Sequence, residues 1–285
     1  MISKRQFNKE IDLIIANAIR EDVGGGDHSS LACISEDAKG TAKLLVKDNG
    51  IIAGVDFAKR LFDFVDPGLE MDIKIKDGSK VSYGDVCFYV SGLSQSILKS
   101  ERVMLNVMQR MSAVATKTDE YVQQVKGTKA KILDTRKTTP GIRALEKWAV
   151  KIGGGENHRF ALYDMIMLKD NHIDFSGGVE KAIKKTRQYL ERNHLNLKII
   201  VEARDFKEIE EILRAGGVDR ILLDNMNFED TRKAVEMIGD SCKTESSGGV
   251  NLETVRGYAE CGVDFISVGA LTHSVSNMDL SLKAV

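Results

Sequence analysis

Between Lys131 and Ile173 the chain reads KILDTRKTTPGIRALEKWAVKIGGGENHRFALYDMIMLKDNHI. Two short apolar runs, KILDT and MIMLK, stop on cations: Arg136 and Lys137 follow the first and Lys169 closes the second. His158 and Arg159 lie in the connection. Cations gathered where strands stop suit an anion, because a guanidinium meets carboxylate or phosphate through two parallel hydrogen bonds. A solvated surface charge is the alternative for any one of them; the set at consecutive strand ends favours a site. Two later runs, LKIIVEA and DRILLD, carry carboxylates at their ends, Glu202 and Asp224. Such groups hold Mg2+ through water or accept sugar hydroxyls, with helix capping or surface placement as the alternative for each. The last two runs, CKTESS and VDFISVG, lead into Ser247-Gly248-Gly249 and Gly269-Ala270. Bare backbone N–H groups ahead of helices make a phosphate seat; two turns that need small residues is the alternative. Together these residues describe an enzyme for a phosphorylated small molecule with further anionic groups, without specifying the reaction.

The elements that would position them alternate. The six apolar runs are strands, and helices are expected over roughly 142–152, 177–193, 205–215, 229–239 and 251–261. The first follows the turn at Pro140-Gly141 and carries Ile142, Leu145, Trp148, Ala149 and Ile152 at helical spacing. Alternating βα units give a parallel sheet, open or closed into a barrel, whose chemistry sits at the carboxyl ends of the strands. The first part of the chain reads differently. Residues 4–21 make an amphipathic helix through Ile11, Ile14, Ile15, Ala18 and Ile19, ending in the glycine-rich loop EDVGGGDHSS. TAKLLVKDNGIIAG predicts a hairpin around Asn49-Gly50, AKRLFDFV a short helix, and MDIKIKDGSKVSYGDVCFYVSG alternates at period two. Residues 94–125 predict one or two helices with Leu98, Leu105, Met108 and Met111 on a stripe and Arg102 beside it; the methionines suit a core. This part is a small α+β domain with an antiparallel sheet.

Composition excludes other classes. The 285 residues carry a net charge of −1, which argues against a nucleic-acid footprint. No apolar run approaches the ~20 residues of a membrane span, and charges interrupt the N-terminus where a secretory core would be. The cytoplasm is the expected compartment. Cys33, Cys87, Cys242 and Cys261 form no metal-binding pair, so they read as reduced thiols.

DTRKTTPGIRALEKWAVKIGGGENHR with KDNHI is very similar to the quinolinate phosphoribosyltransferases, also called carboxylating nicotinate-nucleotide pyrophosphorylases. The resemblance extends through REDVGGGD, SERVMLNVMQRMSAVAT, LLDNM, ESSGGV, GVDFISVGALTHS and MDLSLK. It implies an N-terminal α/β sandwich domain (about 1–115, with a tail of about 275–285 packing back on it) and an open α/β barrel (about 116–275). It also implies the substrates quinolinate and phosphoribosyl pyrophosphate, the cofactor Mg2+, and a homodimer or hexamer. By the same resemblance, Arg136, His158, Arg159 and Lys169 hold quinolinate, with Arg102 reaching in from the partner subunit. Lys137 is an active-site lysine, Glu202 and Asp224 serve ribose and Mg2+, and Ser247, Gly248, Gly249 and Gly269 hold the 5′-phosphate. Lys137, Lys169, Glu202 and Asp224 are then the residues nearest the chemistry. Two positions depart from the family pattern: Asp27-His28-Ser29-Ser30, where many relatives have Thr after GD, and Ile200, where many have Glu. Alternatives are a molybdenum-uptake-associated pyrophosphorylase-like protein, another phosphate-handling barrel enzyme, and a non-catalytic phosphoribosyl-ligand binding protein.

Overall fold

A computed structural model describes residues 2–285. In chain order the first elements are α1 (Lys4–Val23), α2 (His28–Cys33), β1 (Lys39–Val46), β2 (Gly50–Ile51), α3 (Val55–Val65), β3 (Glu70–Ile73), β4 (Lys80–Val81), β5 (Val86–Leu93) and α4 (Ser94–Gln124). Then follow β6 (Lys131–Leu133), α5 (Arg143–Ile152), β7 (Ile166–Leu168), α6 (Asp170–Ser176), α7 (Val179–Arg192), β8 (Ile199–Ala203) and α8 (Phe206–Ala215). The chain closes with β9 (Arg220–Asp224), α9 (Phe228–Ile238), β10 (Lys243–Ser247), α10 (Val255–Glu260), β11 (Phe265–Ser267), α11 (Ala270–His273) and β12 (Leu280–Ala284). Two units result: Ser3–Asp119 with Thr138–Gly154 and Leu271–Val285, and Glu120–Lys137 with Gly155–Ala270. Among the described residues no helix is long and apolar enough to cross a membrane.

The first unit is α+β. Its main sheet is antiparallel in the order β12-β1-β5-β3. Along β1, Ala42, Leu44 and Val46 are buried while their neighbours are not, the period-two pattern of a strand with one face on a core. Phe57, Phe62, Phe88, Met104, Met108 and Met111 fill that core. Residues 94–124 form one 31-residue helix rather than two. The hairpin expected around Asn49-Gly50 does not form. Both edges of β1 are taken, by β5 and by β12, so β2 pairs with β4 instead. The expected loop after α1 contains α2, whose N-cap Asp27 accepts the Ser30 N–H. α5 lies in this unit. Trp148 meets Phe7 of α1 edge-on at 5.6 Å, and fully buried Glu146 takes Arg110 Nη2 at 2.7 Å.

The second unit is a six-stranded, wholly parallel sheet in the order β6-β11-β10-β9-β8-β7. All five residues of β8 are buried, as in a strand covered on both faces. β6 and β7, consecutive in sequence, stand at opposite ends of the order, so the barrel is open. Returning from α5, the chain lays Glu156 on β6 instead: its N–H donates to Ile132 O at 2.8 Å, and its carbonyl accepts from Asp134 N at 3.2 Å. That bridge occupies the strand edge a closing β7 would need. A short helix not anticipated from sequence, α6, starts directly after β7. The helix expected from 251 begins only at Val255, because the Asn251 side chain accepts the Glu253 and Thr254 N–H groups and holds a turn there.

Candidate active site

The pairing registers decide which strand-end side chains share a face. Met167 aligns with Ile200, Glu202 with Leu222, Asp224 with Ser247, and Glu245 with Phe265. Side chains alternate along each strand, so Lys169, Glu202, Asp224 and Ser247 project from one face at the carboxyl ends of four adjacent strands. Lys169 Nζ reaches Glu202 Oε2 at 3.1 Å. Reading across the sheet from β7 to β6, the ends run cation, acid, acid, Ser-Gly-Gly, glycine, cation. The two basic ends, which follow consecutive strands in the sequence, therefore bracket the row.

At the β6 end, Asp134 accepts His158 N–H at 2.8 Å and the Asn157 amide at 2.6 Å, which fastens the returning segment beside the strand terminus. Arg136 follows, exposed and without a side-chain hydrogen bond or ion pair among the described residues. Arg159 is 7% exposed and donates to Met165 O at 3.3 Å. Burial, and then the charge of Arg136, push its guanidinium below the usual range. The nearby Asp164 acts in the opposite direction without offsetting this; its oxygens receive the Phe160 and Ala161 N–H groups at 2.9 and 2.8 Å. Two guanidiniums that disfavour one another beside an occupied carboxylate form a place where an anion is stabilised. Lys137 lies one residue on, its N–H on Thr135 Oγ1 at 3.0 Å.

His158 is placed differently from the cations. Its Nδ1 accepts the Arg159 N–H at 2.7 Å. Its Nε2 faces Glu245 Oε1 at 3.5 Å. Sequence reading passed over Glu245, which is 0% exposed at the middle of β10. Arg220 Nη1 donates to it at 2.6 Å, and Ser267 Oγ also bonds to it. Burial opposes its charge, but His158, Arg220 and Ser267 outweigh that and hold its carboxyl at about 2. Its only sequence signal was a lone acid inside a predicted strand, between Thr244 and Ser246. Asp134 was missed for the same reason.

Gly248 and Gly249 have φ of 98° and 60°, and among the described residues neither N–H donates to another group. They do not lead directly into a helix, as expected from sequence, but into the Asn251 turn. Gly269 does precede a helix, the four-residue α11. Glu202 is 7% exposed and Asp224 half-buried, on adjacent strands. No group of three or more His, Cys, Asp or Glu that could hold a metal occurs among the described residues. Two carboxylates suit Mg2+, which keeps waters and completes its shell with substrate phosphate oxygens. Arg102 is on α4 of the first unit, exposed, with no side-chain hydrogen bond or ion pair among the described residues.

Comparison with known proteins bears on this arrangement. Residues 27–112 match the family model described as Quinolinate phosphoribosyl transferase, N-terminal domain, and residues 114–283 match its C-terminal domain. A Nicotiana tabacum quinolinate phosphoribosyltransferase [decarboxylating] 1b is 45% identical over 285 residues, 95% of this chain and 81% of that one. A probable nicotinate-nucleotide pyrophosphorylase [carboxylating] of Bacillus subtilis is 40% identical, covering 92% of this chain and 89% of its own. The crystal structure of NadC from Streptococcus pyogenes superposes with a TM-score of 0.91 at 36% identity, over 100% of this chain and 99% of that chain.

Proposed function

We infer the activity from one premise: the chain belongs to the quinolinate phosphoribosyltransferase family. It is a pentosyltransferase of NAD biosynthesis that joins quinolinate to phosphoribosyl pyrophosphate and releases pyrophosphate and CO2, leaving nicotinate mononucleotide. The observation that carries the assignment of this work to residues is the row of strand ends, two of them acidic and two glycine-bearing between cations.

Arg136, Arg159 and Lys169 take the quinolinate carboxylates, and Lys137 adds charge beside them. His158 belongs to the same pocket; with its Nδ1 on the Arg159 N–H it also holds that residue's backbone. Glu202 and Asp224 face the ribose and are the residues that would hold Mg2+, with water between. When bound there, Mg2+ supplies positive charge to the departing pyrophosphate. Ser247, Gly248, Gly249 and Gly269 receive the 5′-phosphate, in keeping with the undonated N–H groups of Gly248 and Gly249. As C1 of the ribose gains positive character, Glu202 and Asp224 stabilise it as fixed charges. The pyridine nitrogen then attacks; CO2 leaves with the bonding pair remaining on C2 beside the cationic ring nitrogen, and C2 takes up a proton from water. Every role here is binding or electrostatic; no side chain transfers a proton.

Incubation with quinolinate, phosphoribosyl pyrophosphate and Mg2+ should yield CO2 and nicotinate mononucleotide in equal amounts, and nicotinate in place of quinolinate should not be used. Turnover of nicotinate alone would sink the substrate assignment.

The working unit we propose is a homodimer or hexamer in which Arg102 serves the partner's site. The unpaired, exposed Arg102 supports this. Arg102→Ala and Asp224→Ala should each be nearly inactive. Unfolded, mixed and refolded together, they should regain about a quarter of wild-type activity, since half the dimers are mixed and half of those sites carry no lesion. No recovery would place Arg102 in its own chain's site. Four free thiols suit the proposed cytoplasmic compartment.

A further inference from the structure

Two non-glycine residues among those described have positive φ, His194 at 52° and Asn225 at 55°. His194 has an ordinary reason, because it stands two residues past the last residue of α7, where chains commonly turn left-handed. Asn225 ends no helix. It directly follows Asp224 on β9, and the next helix, α9, has its own N-cap, Asn227.

Three contacts fix Asn225 in this conformation. Its N–H donates to Ser247 O at 2.9 Å, carrying the β9–β10 ladder past the end of the strand. Its side-chain amide donates to Asp224 Oδ2 at 2.8 Å. Its side-chain oxygen occupies the space a Cβ on Gly248 would need, and Gly248 is itself left-handed at φ 98°. Yet Asn225 is exposed and buries nothing. A glycine would adopt the same backbone with less strain. The stability of the turn therefore does not account for an asparagine, whereas the two groups its side chain meets both belong to the candidate site.

We propose that Asn225 is a positioning residue for phosphoribosyl pyrophosphate: its amide aims the Asp224 carboxylate while its oxygen seats the Gly248 turn. This rests on reading Asp224 and Ser247–Gly249 as the phosphoribosyl side. Gly248 then lacks a side chain to admit the Asn225 amide as well as a ligand. Outer groups that orient a site carboxylate typically contribute about 10–100-fold in affinity or activity.

Asn225→Gly keeps the backbone and removes the amide. Its melting temperature should equal or exceed that of wild type, while kcat/KM for phosphoribosyl pyrophosphate falls about 10–100-fold and quinolinate affinity in a binary titration stays unchanged. Wild-type use of phosphoribosyl pyrophosphate, or equal loss toward both substrates, overturns the proposal. Asp224→Asn, assayed beside it, separates the two ideas. If Asp224→Asn leaves phosphoribosyl pyrophosphate use intact, the reading of Asp224 fails; if it impairs that use and Asn225→Gly does not, only the positioning role fails. A stability cycle tests the Gly248 contact. Gly248→Ala should cost more in the wild-type background than in Asn225→Gly, because the φ strain is common to both and the clash is not. Equal costs overturn the coupling.

Discussion

Glu245 and the pair Glu202–Asp224 are carboxylates of neighbouring parallel strands, yet their surroundings differ. Glu245 sits mid-strand, fully buried, with Arg220, Ser267 and His158 around it. Arg220 in turn lies over the Phe265 ring at 3.9 Å. Among the described residues Glu202 has Lys169 alone, and Asp224 has the Asn225 amide alone. Glu146, in the other unit, repeats the saturated pattern: Arg110 Nε and Nη2, Thr139 N–H and Thr139 Oγ1 all donate to it. A buried charge must be matched by its own fold, because water cannot reach it. At the strand ends the match is left incomplete, and that is where a charged ligand gains most. Partner count, more than charge, separates acids that hold the fold from the acids proposed to meet substrate.

The comparison can be broken by variants. Removing the saturated acid should act on folding: Glu245→Ala leaves the half-buried Arg220 without its counter-ion and should cost about 3–5 kcal/mol of stability by chemical denaturation. A loss below about 1 kcal/mol would erase the distinction. Removing an unsaturated cation should act on turnover. Arg136→Ala should leave stability within about 0.5 kcal/mol of wild type and cost about 2–5 kcal/mol in kcat/KM for quinolinate. If it unfolds the protein instead, Arg136 has a structural partner that its exposure conceals.

The mildest effect is graded by pH. Because Glu245 is held below the ordinary value of 4.5 at about 2, its contribution is present above the unfolded value and fades as pH falls through that interval. Acid unfolding followed from pH 5 to 2 should be less steep in Glu245→Gln than in wild type; identical curves would show that this carboxyl does not govern acid stability.

The six parallel strands and the charges that end them were legible in the sequence, since each signal lies within a few residues: an apolar run, then Arg, Lys, Glu, Asp or Gly. The alternation of β with α likewise implied a parallel sheet. What tertiary structure alone decided was who pairs with whom. Asn49-Gly50 carried the local signal of a hairpin, but β12, from the far end of the chain, took the edge of β1. Arg136 and Lys169 followed consecutive strands, but Glu156 took the edge of β6 and set them at opposite ends of the row. α5 followed β6 in sequence and joined the other unit. Glu245 looked like any strand-borne Glu until Arg220, Ser267 and His158 were brought to it from other elements. A strand edge has one partner at a time and a buried charge needs several. Both are settled by competition among segments far apart in the chain, which no window of neighbouring residues contains.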